Sequence, residues 1–571
     1  MTGEKSWFKS YAPGVPGEIA FEKVTMPEAL RRSAQNFPDK TALLYMGKKI
    51  SYLELEKLVN QFGRALMEVG VREGDKVAML LPNIPQIVVA NYATFRIGAT
   101  AVMNNPLYTE KELEYQFNDS DSKVLVTLDL LLPRALRLQG KTKIETIIPC
   151  HINDYLPFPK KQLFPIVKKK MHRNVEPQKN VYEFLDLIKK YSDAPLENAA
   201  GWDDLAAFIY TGGTTGVSKG VMLTHANLSS NVQQFCTWFP DLKKGEDSLL
   251  AVFPFFHSAG FTAIQNFGIW MATTDILVPR PEPDVIVEML QKFKPAYLPA
   301  VPTIFVGLLN SPVFRKMDLS FIKGFFSGAA PLAADTLQQL KELTGATMLE
   351  VYGLTETSPI ATVTPWGGKI KPGTVGVPVP NTDVKIVEVE TGTEEMKQGF
   401  PGEVIIKGPQ VMKGYYKKPE ETTAVLKDGW LFTGDIGFFD EDGYLTIVDR
   451  KKDMIIASGY NIYPREIDEI LFDHPKVLEA CSIGVSDEYR GETVKAYVVV
   501  KPGEALTEEE IVQYCRGKLA PYKIPKMVEF IDALPKSAIG KILRREVKEM
   551  DRKKKGGDKT GNRKEAKGRH F

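Results

Sequence analysis

Cysteine is scarce: four in 571 residues, Cys150, Cys236, Cys481 and Cys515, with no Cys-x-x-Cys pair. That spacing supports neither a disulfide framework nor a cysteine-held zinc, and it fits a reducing compartment. Also missing is any run of about 20 uncharged apolar residues, the length that a membrane-spanning helix needs. The nearest approach, Ala251 to Val278, is interrupted by His257, Gln265, Asn266 and Asp275 and reads as buried core. The opening MTGEKSWFKSYAPG lacks the continuous apolar core of a signal peptide, so a cytoplasmic chain is expected. A further absence concerns the glycine-rich loop at Tyr210 to Gly220. Lys219 is followed by Gly220 where the common nucleotide-kinase loop needs Ser or Thr, and the loop also misses the spacing G-x-G-x-x-G.

What the chain does have is 43% hydrophobic residues, ample for large cores, and a length that allows about four domains. The formal net charge of +2 is unevenly placed. The last 21 residues, Asp551 to Phe571, hold nine Lys or Arg against three Asp or Glu, which leaves −4 on the rest. With almost no apolar residues, this 551–571 tail is expected to be disordered. A solvated tail and an electrostatic contact with anionic lipid or nucleic acid both stay open for it.

Taken in order, PEALRRSAQNF and SYLELEKLVNQFGRALMEVG predict two helices within 25–71, with Ser51 as an N-cap. DKVAMLLPN, a helix near 88–95 and GATAVMNNP follow βαβ grammar, and KVLVTL at 123–128 continues a parallel sheet. Between 132 and 200 the pattern degrades into a basic, proline-bearing stretch, LPFPKKQLFPIVKKKMHRN, open to reading as a membrane-facing surface or a solvated insertion. Strand and helix alternation returns after 220. From Gly373, short strands and tight turns predict a small β-rich subdomain ending near 448–453, followed by an α+β unit of about a hundred residues. The expected class is α/β: a large, multi-subdomain N-terminal domain over 1–451, then a mobile α+β domain over 452–550.

The loop Thr211-Gly-Gly-Thr-Thr-Gly-Val-Ser-Lys219 combines glycines with threonine hydroxyls and a lysine, between two apolar runs read as strands. Glycines let backbone N–H groups converge on phosphate oxygens that the hydroxyls and the ammonium also reach. A helix is expected to open near Thr224 to Asn227. YGLTET places the ring of Tyr352 four residues before the carboxylate of Glu356, suited to covering a purine and holding Mg²⁺. SGAAP at 327–331 is a turn of small residues. Asp435, within DGWLFTGDIGFFDEDGYLTIVDRKK at 428–452, has the acceptors to hold both hydroxyls of a ribose, with Arg450 a fixed cation nearby.

These motifs, with PKSAIGKILRR at 535–545, resemble the signatures of the adenylate-forming enzymes: acyl-CoA synthetases, luciferases and peptide-synthetase adenylation domains. FPFFHSAG, KGPQVMKGYY and SGYNIYP bring the resemblance closest to bacterial long-chain fatty acid:CoA ligases. Ser218 departs from it, where the superfamily usually has proline. The resemblance implies ATP, Mg²⁺ and coenzyme A as partners of a fatty acid. It implies ATP or AMP contacts from Thr211, Gly212, Gly213, Thr214, Thr215, Gly216, Lys219, Gly328, Ala329, Ala330, Tyr352, Gly353, Thr355, Asp435, Ile447, Arg450 and Lys541. Thr211 and Glu356 would hold the metal, and Lys541, Glu356, Thr211 and Lys219 would be catalytic. His257 and Phe261 would line the acyl pocket, Ser458, Gly459 and Tyr460 would face coenzyme A, and Lys452 would be the hinge. No nucleic acid is implied; peripheral contact with the inner face of the membrane and a homodimer stay open. So do an aryl or other acid as substrate, and transfer to a carrier protein.

Overall fold

Seven strands order as Gly414–Tyr415, Lys219–Thr224, Leu205–Thr211, Thr100–Met103, Lys76–Leu80, Val124–Leu128 and Thr146–Cys150 in a computed structural model that describes residues 5–211, 218–239, 242–328, 332–457, 460–487, 490–537 and 540–561. The last five are parallel, and the expected βαβ unit is there: strand 76–80, helix Pro85–Arg96, strand 100–103. Every residue of that helix is buried. Its one charge, Arg96, is accommodated because its two terminal nitrogens meet both Glu56 carboxylate oxygens, at 2.7 and 2.8 Å, and Asn60 Oδ1 at 2.8 Å. A bidentate partner of this kind compensates the charge for lost hydration.

A nine-stranded sheet runs Val377–Pro378, Ile360–Val363, Thr347–Gly353, Gly324–Ser327, Tyr297–Ala300, Ser248–Ala251, Thr274–Leu277, Thr41–Tyr45 and Lys48–Ser51. Its last two strands fill the gap between the two helices expected within 25–71. Helices Met26–Asn36 and Tyr52–Glu68 form, with Ser51 Oγ accepting from Glu54 N, and a hairpin lies between them. The hairpin turns at Met46 (φ 48°) and Gly47 (φ 97°), a two-residue loop with both positions left-handed. The 132–200 stretch is also more regular than expected: it holds helix Leu132–Gln139, the sheet strand Thr146–Cys150 and helix Phe184–Lys190. Its basic excursion includes helix Lys160–Val167, which leaves Phe158, Ile166 and Val167 exposed. The β-rich part is a five-stranded sheet of Asp383–Val387, Gly402–Lys407, Trp430–Phe439 and Leu426–Lys427, with Leu445–Arg450 on Trp430–Phe439.

The chain divides into two compact units. One comprises Met1–Lys385, Ile405–Thr433 and Asp440–Leu445; the other comprises Ile386–Val404, Gly434–Phe439 and Thr446–Phe571. The division is discontinuous, unlike the expected single boundary at 451/452. In the second unit Val477–Asp487, Gly491–Val500 and Ile455–Ala457 pair antiparallel, while Met527–Phe530 joins parallel. Helices Pro464–Phe472 and Glu508–Cys515 bury Ile467, Leu471, Ile511 and Cys515 in its core. The tail departs from expectation, because helix Arg544–Gly561 runs through the first half of it. Val547 is fully buried, and Asp551 accepts from Lys495 Nζ at 2.6 Å and Tyr497 Oη at 2.9 Å, so tertiary contacts order a sequence too polar to order itself.

Candidate active site

Strand, loop, strand is the local architecture at the glycine-rich loop. Leu205–Thr211 and Lys219–Thr224 pair antiparallel with Thr211 opposite Lys219, so the loop's two ends are fixed against each other. Helix His225–Thr237 follows behind a capping box in which Thr224 and Asn227 exchange hydrogen bonds. Ser218, the departure from the superfamily pattern, accepts from Gln116 Nε2 at 3.4 Å. Gly212, Gly213, Thr214, Thr215 and Gly216 lie outside the described residues, as do Ala329, Ala330, Ser458 and Gly459.

Lys219 and Glu356 meet through a residue that sequence reasoning missed. Strand Gly414–Tyr415 pairs with Lys219–Thr224, which puts Tyr415 opposite Val221. Lys219 Nζ sits 4.8 Å from the centre of the Tyr415 ring, and Tyr415 Oη donates to Glu356 Oε1 at 2.8 Å. Burial and the Glu356 charge push the Tyr415 phenol well above its ordinary pKa, so it remains a donor. The Glu356 turn is also stapled to the same segment through its backbone: Met412 N donates to Glu356 O at 2.8 Å and Ser358 Oγ to Gln410 O at 2.8 Å. The available signal was KGPQVMKGYY, quoted for the family likeness but given no role.

Tyr352 and Gly353 end strand Thr347–Gly353, with Tyr352 opposite Thr362. Gly353 admits no side chain, since a Cβ there would lie 1.7 Å from Pro359 O. Thr355 is buried, its Oγ1 3.2 Å from Ser258 Oγ, and Gly328 follows the strand that ends at Ser327. His257 caps the short helix Ser258–Gly260, its Nδ1 accepting from Ala259 N at 3.3 Å. Phe261 has no exposed surface and packs edge-to-face on Phe95, 6.1 Å between ring centres, so its side chain is set into the core. Asn83 is a second residue whose role went unread. Its amide donates to Ala251 O and Phe253 O, and its Oδ1 accepts from Phe255 N, all within 2.9 Å, which fixes the chain just before His257.

In the second unit Asp435 is nearly buried and pairs with Arg450, Nε to Oδ1 3.2 Å. Ile447 O accepts from Arg465 Nη1 at 2.6 Å. Lys452 occupies the turn after strand Leu445–Arg450, where Asp453 N and Met454 N both donate to Arg450 O. Tyr460 opens strand Tyr460–Ile462, opposite Ala457. Lys541 lies in a turn closed by Ser537 N donating to Lys541 O at 2.8 Å, with Gly540 at φ 75°. Behind it Arg544 is held by Asp468 at 2.6 Å and by Ser482 O at 3.0 Å, which anchors the start of the following helix. Lys541 is exposed, yet the protein crowded around its ammonium partly desolvates it, and the Arg450 cation is near. Those two effects, against Asp435, bring its pKa from 10.5 down to about 8. Lys452 is lowered for the same reasons.

The chain matches the family described as AMP-binding enzyme over residues 30–416, and the AMP-binding enzyme C-terminal domain over residues 466–541. It is 44% identical over 555 residues to a long-chain-fatty-acid–CoA ligase of Bacillus subtilis (strain 168), covering 96% of this chain and 99% of that one. To the protein of that name in Escherichia coli O157:H7 it is 37% identical, covering 96% and 99%. Among solved structures, ATP-bound MatB from Rhodopseudomonas palustris superposes with a TM-score of 0.82 at 31% identity, covering 92% of this chain and 99% of MatB. The anthranilate CoA ligase AuaEII in complex with anthranoyl-AMP gives 0.81 at 26%, covering 94% and 98%.

Proposed function

The chain belongs to the AMP-binding enzyme family, and from that premise we propose that it activates a fatty acid, long-chain by preference, with ATP and then transfers the acyl group to coenzyme A. The observation that carries this reading is its similarity, over nearly the full length of both chains, to ligases of that name.

In the first half-reaction a carboxylate oxygen attacks the α-phosphorus and the bond to the β-phosphate breaks, giving acyl adenylate and pyrophosphate. In the second, the coenzyme A thiol attacks the acyl carbon, loses its proton and expels AMP. Both steps depend on positioning and on stabilising charge. Thr211 and Lys219, with Thr214 and Thr215, hold the departing pyrophosphate. Glu356, an oxygen donor oriented by Tyr415, fits Mg²⁺, which when bound would neutralise phosphate charge. Tyr352, Gly353, Thr355 and Gly328 border the adenine, and Asp435 with Arg450 and Ile447 holds the ribose. Lys541 brings the carboxylate oxygen and the α-phosphate together, then leaves when the chain pivots at Lys452, and the face at Ser458, Gly459 and Tyr460 receives coenzyme A. His257 lines the acyl pocket, with Phe261 in the packed wall behind it.

Peripheral contact with a membrane belongs to the same reading. No helix among the described residues is long and apolar enough to cross one. The excursion 155–175 carries six Lys or Arg and no acidic residue, and it exposes Phe158 (84%), Ile166 (65%) and Val167 (70%). Apolar tips among lysines suit an anionic bilayer, the phase in which a long-chain acid is concentrated. Ile166→Glu with Val167→Glu should lose sedimentation with phosphatidylglycerol vesicles and keep activity on a dissolved short acid.

The deciding experiment is ATP–pyrophosphate exchange across acids from acetate to oleate, with benzoate and anthranilate included. Exchange strongest with long-chain acids, followed by acyl-CoA formation, is expected. Exchange confined to aromatic acids, or adenylation without transfer to coenzyme A, would replace the reading.

A further inference from the structure

Asp129 and His151 stand directly after two neighbouring parallel strands, Val124–Leu128 and Thr146–Cys150, whose last residues are paired. The carboxyl ends of such strands are where α/β sheets place ligand-binding groups. His151 Nδ1 is 2.9 Å from Asp129 Oδ2, and His151 Nε2 is 3.2 Å from Glu183 Oε2. His172 arrives from the basic excursion, its ring stacked on that of His151 with 4.6 Å between centres and its Nδ1 3.8 Å from the same Asp129 Oδ2. One donor atom from each of Asp129, His151 and His172 lies within 4.8 Å of the other two.

Two features ask for a cation. Asp129 has no exposed surface, yet its Oδ1 has no hydrogen-bond partner, and neither has the buried Nδ1 of His172. A neutral His151 that donates from Nε2 to Glu183 turns the lone pair of Nδ1 toward a carboxylate oxygen, an arrangement that repels unless positive charge lies between them. A carboxylate on the far nitrogen is also the support that metal-binding histidines usually have. Arg173 N fixes the remaining group by donating to Asp129 Oδ2 at 2.6 Å.

We propose that Asp129, His151 and His172 bind a divalent first-row transition ion, zinc(II) being the apt probe, with Glu183 orienting His151. Two imidazoles and a carboxylate are a donor set that suits such an ion. Tetrahedral bonds of about 2.0–2.2 Å separate donor atoms by roughly 3.3–3.6 Å; two of the separations here are 2.9 and 3.8 Å, all three lie within 4.8 Å, and His172 would turn off the His151 ring to aim its lone pair at the ion. Because His172 closes the basic excursion, the ion would tie that excursion's carboxyl end to the sheet. The role is separate from Mg²⁺ at Glu356.

The test uses the untagged full chain, stripped with a chelator and titrated with zinc chloride in the absence of nucleotide. One zinc per chain should survive desalting and raise the melting temperature, and cobalt(II) in its place should give a visible absorption band of nitrogen and oxygen ligation. His172→Ala should abolish retention, and Glu183→Gln should weaken affinity about 10- to 100-fold. Both side chains are partly exposed, so metal-free melting temperatures should match that of the unsubstituted chain. No retained zinc in the unsubstituted chain, or equal retention by His172→Ala, would overturn the proposal and leave a proton between His151 and Asp129.

Discussion

The charged groups around Tyr415 and those around Lys541 are held in opposite ways. In the first, Lys219 and Glu356 are of opposite sign and are linked through one side chain, a cation over the ring and a carboxylate on the hydroxyl. In the second, Lys452 and Lys541 both lie near the Arg450 cation and the Asp435 carboxylate, and both lysines give up proton affinity, first through desolvation and then through that cation. A balanced cluster keeps its geometry before any ligand arrives. Like charges held near one another favour an incoming anion, which on the proposed function keeps their stabilisation for the charge that develops in the reaction. On the proposed function, the first region is a preset cradle and the second supplies the group that acts.

The sharpest way to break this contrast is Lys541→Ala. Acyl-adenylate formation should fall by about 10²- to 10³-fold, the usual loss for a charge-stabilising donor. Thioester formation from preformed acyl adenylate should be nearly unchanged. Equal losses in the two assays would mean that Lys541 is not confined to the first step, and the pivot at Lys452 would lose its purpose. Glu356→Gln comes next, because it keeps shape but removes one anionic ligand and unbalances the cradle. Adenylation should fall about 10- to 100-fold, with the Mg²⁺ requirement moved to higher concentration; an unmoved requirement would take Glu356 out of the metal site.

A smaller effect should appear on changing pH. In the proposed first half-reaction Lys541 acts as a cation, so its pKa of about 8 in the free enzyme means that the active form predominates below pH 8 and is lost above it. The kcat/KM for ATP in adenylation should thus halve near pH 8 and drop about tenfold for each further unit. Lys541→Arg remains charged throughout, so whatever its absolute rate, its profile should lose this limb. A limb that persists in the arginine variant belongs to another group.

Local chemistry was legible in the sequence wherever a few adjacent residues decide the conformation. Ser51 caps a helix as read, the helix expected to open near Thr224 to Asn227 does so, and the strand–loop–strand at Thr211 to Lys219 follows from apolar runs flanking glycines. Long-range partners were not legible. Tyr415 reaches Glu356 across 59 positions, and a tyrosine in an apolar stretch reads equally well as core. Asp551 looked like part of a solvated tail because Lys495 and Tyr497, which order it, lie on a strand more than 50 residues earlier. Strand Thr146–Cys150 was hidden by its brevity and its proline, and the 41–51 hairpin by Met46, where Asn or Asp usually marks such a turn.

The finest probe of the contrast is Tyr415→Phe, which keeps the ring under Lys219 and deletes only the hydroxyl on Glu356. A hydrogen bond to a charged group contributes about 1.5–3 kcal/mol to the state that contains it, but part of that is recovered as water replaces the phenol. A roughly three- to tenfold rise in the Mg²⁺ concentration for half-maximal adenylation is the expected result, about 0.7–1.4 kcal/mol. Thioester formation from preformed adenylate should be unaffected. The double variant Tyr415→Phe/Glu356→Gln then decides whether the tyrosine acts through the carboxylate. If it does, the second substitution adds little to the first, because the pair is coupled. Independent, multiplicative losses would show that Tyr415 acts through Lys219 or the strand instead, and the cradle would be two separate contacts sharing one ring.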